Sequence, residues 1–175
     1  MAEARAGEAE TGVFERIVAL LDSGRALYRV IEHPPEGRSE HISRIRGNLP
    51  SQAAKAMVVA VKTREGRRFA LAILPGNRRV DFGAIARQFG GTKASFAAPE
   101  EARRLTGCDM GAVPPFSFSA ELPVLVDPKL LEHNEIAFNA GRLDRSMFLA
   151  TRSYLEIVKP AVAEIALPET TEAKT

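Results

Sequence analysis

Residues 52–62 read Gln-Ala-Ala-Lys-Ala-Met-Val-Val-Ala-Val-Lys. Small residues lead into an apolar, partly β-branched run, which predicts a buried strand. A second run of the same character, Phe69-Ala-Leu-Ala-Ile-Leu74, follows a polar turn at Thr63–Arg67, and the two predict a hairpin. One cation, Lys55, stands where the first strand begins. Burying an ammonium costs several kcal/mol unless it is partnered. Two readings of Lys55 stay open on the residues alone: a strand-edge side chain with its head group in water, or a charge placed for function.

Around this hairpin the chain alternates irregularly between short helical and short extended patterns. Phe14, Ile17, Val18 and Leu21 follow helical spacing, stopped by Asp22-Ser-Gly24. Ala26–Glu32 reads as a strand, broken by His33-Pro-Pro-Glu-Gly37. Ser39 is placed to cap a helix through Arg46, with Ile42 and Ile45 inward and Arg38, Arg44 and Arg46 outward. Asp81 caps a helix carrying Phe82, Ile85, Ala86 and Phe89, closed by Gly90-Gly91. A short strand at Lys93–Phe96 and a helix from Pro99 to Gly107 come next. Val124–Val126, Glu135–Asn139 and Ser146–Ala150 read as strands, with one helical turn after Asp127-Pro128 and a turn over Ala140–Asp144. A last helix spans Thr151–Val158 before Pro160. This order predicts an α+β fold: a single domain with one curved, mixed, barrel-like β-sheet surrounded by short helices.

The 175 residues, 45% of them hydrophobic, suit one domain over 12–167, with acidic tails at 1–11 and 168–175 expected to be disordered. No apolar run approaches a membrane span, and the first residues lack the apolar core of a signal peptide. The single cysteine, Cys108, fits a reducing cytoplasm, and the scattered His33, His41 and His133 argue against a metal site. The net charge of +2 understates the body of the chain. Positions 12–167 hold 22 basic and 17 acidic residues, and arginine outnumbers lysine. That excess is compatible with a polyanionic partner.

No nucleophile elbow, Walker loop or dinucleotide fingerprint is present. Cys108 beside Asp109 has no neighbouring histidine and reads as structural or incidental, and His41 reads as a surface residue. The stretch Gly111-Ala-Val-Pro-Pro-Phe116 has a clearer physical meaning. Its glycine admits close approach of backbone and its prolines stiffen the loop, which suits backbone recognition of a small polar ligand. A tight helix-to-strand connection accounts for the same residues, and on the residues alone it is the favoured reading.

Ala53-Ala54-Lys55 opening a buried strand, Gly111-x-x-x-Pro115 followed by Phe116, and Asn139-Ala-Gly-Arg-Leu-Asp144 together resemble the YbaK/ProX family. These are trans-editing aminoacyl-tRNA deacylases, related to the editing insertion of bacterial prolyl-tRNA synthetases. The resemblance runs from about Phe14 to Val158.

It implies hydrolysis, without metal or other cofactor, of the ester joining a wrong small amino acid to the terminal adenosine of a tRNA. Lys55 takes the catalytic position, holding the aminoacyl-adenosine end or polarising its ester. Gly111, Ala112, Val113, Pro114, Pro115 and Phe116 form the substrate-binding loop, with Asn139 and Gly141 facing the pocket. Ser146 stands where some relatives carry an acid, which fits a substrate-assisted reaction in which the ribose hydroxyl orients the water. Mischarged tRNA is the implied partner, with an aminoacyl-tRNA synthetase as a second, in the cytoplasm and away from membranes. Two alternatives remain on the same scaffold. One is a non-catalytic module binding tRNA ends or a small ligand; the other is a hydrolase of a different small ester or amide.

Overall fold

A computed structural model describes residues 12–169. The tails expected at 1–11 and over most of 168–175 lie outside the described residues. Glu169, just inside, accepts a hydrogen bond from Asn77 Nδ2 at 2.6 Å.

The predicted hairpin is the centre of the molecule. Strands β2 (Ala54–Thr63) and β3 (Gly66–Pro75) pair antiparallel from Ala54↔Pro75 to Thr63↔Gly66. The turn is tied by the Thr63 hydroxyl, which donates to the Gly66 carbonyl at 2.8 Å and accepts from the Glu65 amide at 3.3 Å. Side chains on a strand alternate between faces, and here both faces are covered. Val59, Val61, Ala70, Ala72 and Leu74 join one core with Ile85, Ala86, Leu125 and Ile165. Val58, Ala60, Phe69, Leu71 and Ile73 join a second with Ile17, Leu21, Phe138 and Tyr154. Two-sided burial is why the sequence shows continuous apolar runs there instead of an alternating pattern.

Helices and outer strands fill in around this hairpin. They are α1 (Val13–Ser23), β1 (Tyr28–Glu32), α2 (Ser39–Arg46), α3 (Phe82–Gln88), β4 (Lys93–Phe96) and α4 (Pro99–Thr106). After them come β5 (Val124–Val126), β6 (Glu135–Arg142), β7 (Arg145–Ala150), α5 (Thr151–Val158) and β8 (Ala161–Val162). The strands form two open sheets in place of the one curved sheet expected. One is mixed, in the order β4-β2-β3-β5-β8, with β3, β5 and β8 parallel. The other is antiparallel, β1-β7-β6, and an isolated parallel bridge between Ala53 and Ala137 connects the two. The architecture is therefore a single α+β domain with mixed strand directions.

Local signals account for most boundaries. Asp81 Oδ1 accepts from the Ala84 amide at 3.0 Å and caps α3, and Gly107, in the left-handed region, ends α4. Three expectations need correction. Ser39 is the first residue of α2 and makes no capping bond. The turn expected over Ala140–Asp144 is shorter, because β6 continues to Arg142 through an irregularity after Asn139. The inner face of α2 is Ile42, Ser43 and Arg46, while Ile45 is 45% exposed. Residues four apart share a helical face; with Ile42 as the anchor, Arg46 is carried inward and Ile45 turned out.

Candidate functional site

A cleft of about 410 Å³ opens where the start of β2, the inner face of α2, the loop after α4 and Asn139 of β6 converge. Among the described residues that line it are three cations, Arg38, Arg46 and Lys55, and no carboxylate. A second depression of about 430 Å³ beside α5 contains none of the candidate catalytic or substrate-binding residues.

Lys55 supplies one wall. Its backbone is fixed by pairing with Leu74, and its Nζ donates to the Arg78 carbonyl. Burial depresses its pKa below the usual 10.5, and the neighbouring positive Arg79 adds to the effect. The ammonium is therefore partly dehydrated, is held by a neutral acceptor and faces the cleft.

The opposite wall is held by side chains. Asn139 Nδ2 donates to the Gly111 carbonyl at 2.8 Å and to the Glu36 carbonyl at 3.0 Å, tying two loops together. Its Oδ1 accepts from Arg46 Nη2 at 2.8 Å, and Arg46 Nε donates to Ser146 Oγ at 2.8 Å. Burial brings the Arg46 pKa down to about 10. Ser146 Oγ lies 2.7 Å from His33 Nε2 and 3.1 Å from Asn139 Oδ1, while His33 Nδ1 lies 2.8 Å from the Pro34 carbonyl. A carbonyl only accepts, so Nδ1 carries a proton, while the single Ser146 proton goes either to Asn139 Oδ1 or, in a neutral ring, to His33 Nε2.

Of the residues named from the sequence, Lys55, Gly111, Val113 and Asn139 meet around this cleft. The others in the glycine loop point elsewhere. Ala112 is buried, and its carbonyl accepts from the Gly141 amide at 3.0 Å. Pro114 and Pro115 are buried, and the Pro115 carbonyl accepts from the Tyr154 hydroxyl at 2.8 Å. Phe116 packs edge-on against Phe138 and Tyr154 in the core. Gly141 backs onto α1, where an added Cβ would lie 2.8 Å from Val13. Gly111 has φ +85°, and a Cβ there would meet Gly37 Cα at 2.8 Å, so its bare backbone permits two loops to cross.

Arg46, His33 and Ser146 form a cluster that the sequence reading did not assemble. The one available signal was the spacing of Arg46 from Ile42. Cys108 is buried, with its pKa raised to about 11 by burial, so it is a thiol at neutral pH. His41 is exposed.

The family model for the aminoacyl-tRNA editing domain matches residues 33–157. The chain is 45% identical over 147 residues to the multifunctional Ser/Thr-tRNA deacylase ProXp-y of Escherichia coli (strain K12), covering 83% of this chain and 88% of that one. It is 24% identical over 149 residues to the prolyl-tRNA editing protein ProX of Acetoanaerobium sticklandii, covering 83% and 90%. A crystal structure described as a candidate trans-editing enzyme for prolyl tRNA synthetase superposes with a TM-score of 0.74 at 26% identity, over 89% of this chain and 98% of that one.

Proposed function

The chain belongs to the aminoacyl-tRNA editing domain family and is an aminoacyl-tRNA deacylase, and we propose that it clears serine and threonine from mischarged tRNA with Lys55 as its catalytic cation. The observation that carries the residue assignment is the cleft itself. It places a partly buried ammonium on one wall and the Gly111 loop on the other.

In this reading the terminal adenosine lies on the Lys55 side and the amino acid against Gly111 and Val113. Water adds to the ester carbonyl carbon, the carbonyl oxygen takes up negative charge, and the bond to the ribose oxygen breaks. The products are a free amino acid and a tRNA with a restored ribose hydroxyl. Lys55 stabilises the charge that develops on oxygen, a role that is strongest in a partly dry site. No carboxylate or free imidazole among the described residues lines the cleft to serve as base. His33 is engaged with Ser146 and Pro34. The substrate's own ribose hydroxyl is therefore assigned to orient the water. An aminoacyl ester is already reactive, so orientation and charge stabilisation suffice. Arg78 and Arg79, beside Lys55, are placed to meet phosphates of the acceptor end. The protein would act where tRNA is charged, in the cytoplasm, on tRNA released by a synthetase.

A panel of mischarged tRNAs tests the reading. Seryl- and threonyl-tRNA should be hydrolysed fastest by the wild-type protein, and Lys55→Ala should remove most of that activity. Full activity in a folded Lys55→Ala protein would reject Lys55 as the catalytic cation.

A further inference from the structure

Arg46 is a largely buried cation to which the deacylation chemistry above gives no task. A guanidinium taken out of water is normally matched by a carboxylate or phosphate. Here its protein partners are neutral: Ser146 Oγ takes Nε, and Asn139 Oδ1 takes one Nη2 proton. These two bonds fix the plane of the fork and use two of its five N–H donors. Nη1 has no partner among the described residues, yet it is not sealed from solvent, and Arg46 lines the cleft. The remaining donors are thus oriented and open to whatever enters the cleft.

Its position within the cleft narrows the occupant. Arg46 is bonded to Asn139, which in turn holds the Gly111 carbonyl, so the free edge stands on the glycine-loop side. Lys55 is on the other wall, bonded to the Arg78 carbonyl. The part of the substrate on Arg46's side is the amino acid, on the reading given under Proposed function, on which this inference rests. Serine and threonine side chains each bring one oxygen able to accept.

We propose that Arg46 is the specificity residue of the site, donating from its free guanidinium edge to the side-chain hydroxyl oxygen of serine or threonine. That hydroxyl replaces the water the open donor loses on binding, whereas an analogue without it displaces the water and leaves the donor unpaired, so the rejection arises in the bound complex. The ester carbonyl is an oxygen that every aminoacyl-tRNA shares, and loss of a contact there would weaken every substrate alike.

The test compares threonyl- with valyl-tRNA, in which a methyl replaces the hydroxyl at nearly the same volume. Single-turnover deacylation is measured for wild type, Arg46→Met and Arg46→Lys, with circular dichroism and melting curves as controls for folding. Wild type should favour threonyl-tRNA. Arg46→Met should lower the threonyl rate about tenfold or more, as expected for a hydrogen bond to a charged donor, and the valyl rate by distinctly less, so that the preference collapses. Should the methionine variant not fold, Arg46→Lys decides. An ammonium tied to Ser146 and Asn139 keeps one N–H, but its nitrogen stops a bond short of the guanidinium's free edge, so the same collapse of preference is expected. An unchanged threonyl-to-valyl ratio in either folded variant, through equal loss or no loss, overturns the proposal. A wild-type protein inert on threonyl- and seryl-tRNA defeats the functional reading itself, a failure visible before any variant is made.

Discussion

The two walls of the cleft are built in different ways. The Lys55 wall is backbone: β2 pairs with β3 on one side and β4 on the other, and a buried core lies on each face of the hairpin. The glycine-loop wall is held by side chains, with Asn139 joining the Glu36 and Gly111 carbonyls and Arg46 bracing Asn139 and Ser146. A ladder of main-chain bonds does not depend on any one side chain. A node of side-chain bonds does. Substitutions on the first wall should therefore separate chemistry from stability, and those on the second should couple them.

The largest effect is expected at Lys55. Lys55→Ala should lower kcat for deacylation by roughly a hundredfold or more, the scale for losing one preorganised charge-stabilising donor. The melting temperature should hardly fall, because the removed ammonium was itself desolvated. A parallel loss of stability would place Lys55 among the structural residues. The pH profile supplies a second check. Lys55 must be protonated to act, and its folded pKa is depressed, so activity should fall with rising pH before the 10.5 of an ordinary lysine. Over the same interval the folded state, which binds the proton less tightly than the unfolded chain, should gain stability from this group as pH rises.

Asn139 comes next. Asn139→Ala removes both bonds to loop carbonyls and the acceptor for Arg46. It should cost about 2 kcal/mol of stability, the penalty for leaving buried polar groups unpaired. Activity should fall together with protection of the Glu36 and Gly111 loops from hydrogen exchange. If activity falls while both loops stay protected, Asn139 touches substrate directly and the wall does not depend on it.

Gly111→Ala should act in the same direction more weakly. With φ +85° and Gly37 Cα at 2.8 Å from an added Cβ, the cost is backbone strain and a shifted crossing of two loops. About 1 kcal/mol of stability or more should be lost, and rates on different aminoacyl-tRNAs should drop in proportion. A selective loss of the larger amino acids would instead mean that the side chain enters the cleft.

The same contrast explains what could be read in advance. The hairpin, most helices, the Asp81 cap and the Gly107 stop depend on local spacing and turn chemistry, which a sequence displays. Lys55 stood out as a charge at the mouth of an apolar strand, and Gly111 as a glycine ahead of two prolines. The Arg46–Ser146 and Asn139–Gly111 contacts join residues 100 and 28 positions apart, and nothing local announces them. Arg46 was assigned to the solvent face because Ile45 was counted as inward; that small rotation of an eight-residue helix hid one of the three cations of the cleft. Pro114, Pro115 and Phe116 were grouped with Gly111 by adjacency, although their buried side chains anchor the loop from behind.

The smallest effect is expected where the second wall looks most heavily bonded. Arg38 meets Glu36 through Nε at 2.9 Å and Nη2 at 3.0 Å, and its own amide reaches the same carboxylate at 2.9 Å. The arrangement holds the Glu36 carboxyl down at about 2, chiefly through the Arg38 hydrogen bonds. A depressed carboxylate contributes stability above its unfolded pKa and loses it as pH falls toward 2. Arg38 stands in water, however, although the Glu36 side chain is only 14% exposed, and a pair with one solvated partner contributes little. The bond that secures the loop is the one from Asn139 to the Glu36 backbone carbonyl, which a side-chain change leaves in place. Arg38→Met should therefore leave the melting temperature and the threonyl-to-valyl ratio unchanged, with at most a slight loss of affinity for tRNA that fades as salt is raised. A change in substrate ratio as large as that of Asn139→Ala would show that the wall is held from its solvent side, and the distinction between the two walls would have to be drawn at Glu36 instead of Asn139.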